Sequence, residues 1–143
     1  MIVTAATTPR AAGAAKGPPP MTVDEAVAAV QYELTNPTGS VGRLQAALEA
    51  SDFVTLLTLT KTMDQSLRKN VVGQAKYYWA DGTPGTQLSN NITFDLIGIN
   101  RNARPGQENA AGVQQYLQEL TQDLKQVLEY TQQAAAAAAA KKE

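Results

Sequence analysis

The sequence predicts an all-α chain: a four-helix up-and-down bundle preceded by a flexible Pro/Ala-rich N-terminal arm. Three observations carry that expectation. Apolar residues recur at intervals of three and four through most of residues 22–133, the spacing that builds one apolar helix face. Residues suited to helix caps stand where those patterns begin. The patterns are joined by short segments marked by Pro and Gly, and short connections favour antiparallel neighbours. Residues 1–21 read as the arm, 22–133 as the bundle and 134–143 as an Ala-rich C-terminal tail.

The arm carries Arg10 and Lys16 and no acid, and it shows no periodicity. Pro18, Pro19 and Pro20 favour an extended polyproline conformation. The first helix opens at Thr22, which stands three residues before Glu25 in the capping-box spacing. Val23, Val27, Val30 and Leu34 form its apolar face, and Asn36-Pro37-Thr38-Gly39 ends it. A short second helix follows, with Ser40 as its expected cap and Val41, Leu44 and Leu48 as its stripe. Asp52 is a good cap for the third helix. There Phe53, Leu56, Thr60, Met63, Leu67, Val71, Gln74 and Tyr78 keep helical spacing, which predicts one helix over 53–79, about 40 Å long. Asp81-Gly82-Thr83-Pro84-Gly85 breaks the pattern.

Residues 86–103 carry two periods at once. Ile92, Phe94 and Leu96 alternate as in a strand, while Leu88, Ile92, Leu96 and Ile99 repeat as in a helix, with Phe94 and Ile97 widening that face. Length and the flanking helices favour helix, and Arg104-Pro105-Gly106 stops it. The last helix shows Val113, Leu117, Leu120, Leu124, Val127 or Leu128, and Thr131. It can extend into the Ala run 134–140, since Ala is the best helix former.

Composition removes several functional classes. The 143 residues suffice for one domain and contain neither Cys nor His. Disulfides, thiolate chemistry and every His-dependent triad or metal set are therefore excluded. A net charge of −1 lacks the basic excess of a nucleic-acid binder. No apolar run approaches the roughly 20 residues of a membrane span, so no membrane insertion and no cofactor are expected.

The remaining candidates are few. Asp64 and Asp95 are the carboxylates closest to apolar stripes. Asp64 stands four residues before Arg68, the spacing of a helical ion pair. Asp95 sits among Ile92, Phe94, Leu96, Ile97 and Ile99, where a charge needs a partner, and a hydrogen bond from a neighbouring helix is expected. Both are read as structural buried polar residues. A carboxylate-based metal-binding bundle is the alternative. Lys61, Arg68, Lys69 and Lys76 form a basic stripe along the third helix, suited to an acidic partner surface. Tyr77, Tyr78 and Trp79 cannot all face one core. Tyr78 continues the stripe, which leaves Tyr77 and Trp79 as interface anchors. Asn100, Arg101 and Arg104 gather hydrogen-bonding groups and two guanidinium forks where the chain leaves a helix, a further docking corner.

Two segments carry a resemblance. One comprises Asp52-Phe53, Thr60-Lys61, Asp64, Arg68-Lys69, Gly73 and Ala75-Lys76; the other is SNNITFDLIGINRNARPGQEN, residues 89–109. Over roughly residues 40–125 the chain resembles a group of small thylakoid-lumen proteins associated with photosystem II. Its architecture is similar to that of the PsbQ-like extrinsic four-helix subunits. The resemblance implies a nuclear-encoded chloroplast protein whose transit peptide is already gone. It implies a location in the thylakoid lumen, peripheral to the membrane, and a monomeric subunit within a hetero-oligomer. The partners would be lumenal subunits of photosystem II. The role would be non-enzymatic: stabilising, protecting or helping assemble the oxygen-evolving complex. A lumenal subunit or assembly factor of photosystem I or of an antenna complex is the rival within the same class.

Overall fold

Local capping chemistry sets where the first and third helices begin. The structure, a computed structural model, describes residues 21–141, and all regular structure among them is helical. The arm residues 1–20 lie outside the described residues. α1 spans Val23–Thr35. At its start the Glu25 amide donates to Thr22 Oγ1 at 3.1 Å and the Thr22 amide to Glu25 Oε1 at 2.8 Å, which is the capping box the sequence contains. α2 spans Ser40–Glu49. Ser40 is its first helical residue rather than its cap. The Ser40 hydroxyl and amide both donate to Glu33 Oε1, which ties α2 to α1 and explains why so polar a residue is buried. α3 spans Phe53–Met63, with the Thr55 amide donating to Asp52 at 3.0 Å.

The long helix expected over 53–79 is not uniform. α3 passes into a π-helical segment, Asp64–Val72, and then into the short α4, Gly73–Lys76. A π turn inserts an extra residue into the ladder. Its effect on the core is direct. Leu56, Thr60, Met63, Leu67 and Val71 are buried as the α period requires, but Val72 is buried beside Val71 and the stripe then runs through Ala75 and Trp79. The expected Gln74 and Tyr78 lie one residue out of phase and are only half-buried.

α5 spans Thr83–Arg101. It starts inside the Gly/Pro segment read as a break, because Pro84 occupies its first turn, where a missing N–H costs nothing. The Thr83 amide donates to Asp81 Oδ1 at 2.9 Å. Gly106 takes φ +83° in the loop beyond, a left-handed conformation that glycine adopts without strain. α6 spans Ala110–Lys141, so the Ala run continues the last helix.

α6 packs on α1, α2, α4 and α5, while α5 also packs on α3 and the π segment. Gly98 on α5 lies so close to the Tyr116 ring that no Cβ fits between them, and Asn102 closes in the same way on Gly112. Residue numbers rise along α5 as they fall along α6, so this pair is antiparallel. α3 and α4 likewise run against α5, since the Asn100 side-chain amide donates to Thr60 Oγ1 and Lys76 Nζ to Ser89 Oγ. The core is filled mainly by Leu, Ile and Val, with Ala75 as the contribution of α4. Among the described residues no helix is long and apolar enough to cross a membrane.

Candidate functional site

Two places on α5 combine chemistry with access. The first is its outward face. Thr86, Asn90, Phe94, Ile97 and Arg101 are spaced three or four apart and are all exposed, so they form one stripe pointing away from the core. Phe94 is 66% exposed and Ile97 40%. The sequence placed both in the core, because an apolar face this wide cannot show which part of it neighbours will cover. α3 and the π segment cover one edge of α5 and α6 the other, and the strip between them stays open. Large apolar side chains left in water on a helix face mark an interaction surface more often than scattered ones do.

The cations proposed for docking separate into exposed and committed groups. Lys61, Lys69, Arg101 and Arg104 are exposed. Lys76 is exposed as well, with its Nζ 3.4 Å from Ser89 Oγ. Arg68 is half-buried and bound by both ends of its fork to Asp64, Nε at 2.8 Å and Nη2 at 3.1 Å. It is a structural cation, and the ion pair holds the Asp64 carboxyl below the ordinary carboxylate range. Asp64 is not buried, since 45% of its side chain is exposed. Asn100 is also used internally: it donates to Thr60 and accepts from Arg104 Nε at 3.1 Å, so it orients Arg104 and pins α5 to α3.

Tyr77 remains exposed beside Lys76. Trp79 does not serve as an interface anchor. It is buried, its Nε1 donates to Thr131 Oγ1 at 3.1 Å, and its ring lies 5.0 Å from that of Tyr130. The π segment brings it there by moving the buried stripe one residue on.

The second place is a cleft of about 800 Å³ between α5 and α6, lined by Asn91, Phe94, Asp95, Gln115, Gln118, Glu119, Gln122 and Asp123. Asp95 is buried as expected, at 3% exposure, but no helix donates to it. Its Oδ2 has no hydrogen-bond partner, and the groups that act on it are acids, Asp123 and Glu119 of α6. Burial, reinforced by Asp123, pushes the Asp95 carboxyl up to about 9, so it is protonated at neutral pH. The sequence could not reveal this partner, which lies 28 positions away on another helix.

Asp64 and Asp95 do not form one site. Asp64 reaches Thr93 on the α3 side of α5; Asp95, two residues on and about 200° around the helix, turns toward α6. Among the described residues no group of three or more Asp or Glu side chains is arranged to hold a metal ion. Comparison with protein-family models, with curated proteins and with solved structures yields no match.

Proposed function

We propose that this chain is a non-enzymatic extrinsic accessory subunit that docks on the lumenal side of photosystem II. There it stabilises the oxygen-evolving complex or assists its assembly and protection. In the same proposal α1, the α3–π–α4 rod, α5 and α6 are the four helices of an up-and-down bundle, with α2 as a connecting helix. The observation that carries the docking reading is the outward stripe of α5. Phe94 and Ile97 stand exposed there, with Arg101 in line and Arg104 at its end. An apolar centre with two cations at one end suits a partner surface with an acidic patch at the matching end. The resemblance of residues 40–125 supplies the identity of that partner and the lumenal location. A non-enzymatic role is supported by a composition without His or Cys.

Capture from solubilised thylakoids with the tagged full chain, followed by native gel separation, tests the partner. Co-migration with photosystem II is expected. Co-migration with photosystem I or an antenna complex would move the subunit to the rival assembly, and migration of the free chain alone would overturn both.

A further inference from the structure

The α5–α6 cleft has an unmet requirement that the docking stripe does not address. A buried carboxyl oxygen without a hydrogen-bond donor costs free energy comparable to a lost hydrogen bond. Asp95 Oδ2 is such an oxygen, and Asp95 belongs to the lining of an open cleft. The other polar groups there, Asp123, Glu119 and the side-chain amides of Gln115, Gln118 and Gln122, are all able to accept hydrogen bonds. Phe94 offers an exposed aromatic ring at the rim.

We propose that this cleft binds a guanidinium group, presented by an arginine side chain of a partner protein and seated between Asp95, Asp123 and Glu119. Three features select that chemistry. Among the described residues no group of three or more carboxyls could hold a metal ion, whereas a planar guanidinium offers five donors in a fixed fork. Its flat face stacks on an aromatic ring, as Phe94 permits. It is more weakly hydrated than an ammonium, so entry into a half-buried cleft costs less. The site stands whichever assembly the chain docks on.

Binding carries a proton signature. In the empty cleft Asp95 is protonated, because burial and Asp123 disfavour its charge. A guanidinium favours the carboxylate, so it must displace that proton. Affinity then rises with pH, by up to about tenfold per unit from pH 7 toward pH 9. The charged groups facing Asp95 are Asp123 and Glu119 of α6; Asp64 and Arg68 lie at the opposite edge of α5.

The test is a titration of the ¹⁵N-labelled full chain with acetyl-Gly-Arg-Gly-amide at pH 7 and pH 8.5, followed by amide shifts. Parallel titrations use the Lys peptide and spermidine. Saturable shifts confined to the cleft are expected, tighter at pH 8.5, and several-fold stronger for Arg than for Lys. Asp95→Asn should abolish the pH dependence and weaken binding several-fold. If that variant does not fold, Glu119→Gln, at an exposed position, should still weaken binding. Absent or scattered shifts, equal binding of the Lys peptide or spermidine, or unchanged binding by the folded variants would overturn the proposal.

Discussion

Asp95 shows what one side chain contributes and what it costs. Its position among Ile92, Leu96 and Ile99 made burial legible, because the helical period fixes which way residue 95 points relative to its neighbours. Its partner was not legible, because Asp123 reaches it only through the packing of α6. The sign of the pH effect follows from the raised pKa. The folded protein holds a proton on Asp95 up to about pH 9, while the unfolded chain releases it near pH 4. The stability that this proton contributes is complete below about pH 4 and declines as pH rises toward 9. Asn mimics the neutral acid at all pH values. Asp95→Asn should therefore raise Tm at pH 8, on the order of 1–3 kcal/mol of stability, and have little effect at pH 4. Thermal unfolding followed by circular dichroism at both values checks this; equal shifts at the two would contradict it.

The elements were readable where they depend on local chemistry and less so where they depend on neighbours. The Thr22 box and the Asp52 cap each involve residues only three apart, so the starts of α1 and α3 could be placed from sequence. Ser40 looked like a cap for the same reason, but Glu33, seven residues back, claims it. The rod from α3 to α4 failed differently. Its period is continuous up to Val71 and then slips by one, so Ala75 and Trp79 are buried where Gln74 and Tyr78 were expected. Nothing in 64–72 announces the slip, since the π turn forms to satisfy packing rather than local propensity. The segment is then equivalent to an α-helix carrying one extra residue. Deleting the exposed Asn70 should let an unbroken α ladder carry the same buried set, Val72, Ala75 and Trp79. The deletion variant should fold with stability within about 1 kcal/mol of the parent or above it. Loss of several kcal/mol in urea unfolding would show that the π geometry itself is required.

At the scale of the whole molecule, the all-helical class and the order of the helices were readable from periodicity, while the functional surface was not. The sequence assigned docking to Arg68, Trp79 and Asn100 alongside the exposed cations. Folding withdraws those three: Arg68 to Asp64, Trp79 to Thr131 and Asn100 to Thr60. It also releases Phe94 and Ile97, which hydropathy alone assigns to the interior. Lys61, Lys69, Lys76, Tyr77, Arg101 and Arg104 remain exposed, as the docking reading needs. We propose that the outward stripe of α5 carries the chain onto photosystem II. The most direct test is rebinding of the double variant Phe94→Ser, Ile97→Ser to salt-washed photosystem II membranes, with helicity verified beforehand. Both side chains already face water, so the fold should be retained. Removing two apolar anchors from an interface centre should weaken binding at least about tenfold. Rebinding of the folded double variant with the affinity of the parent would contradict the account.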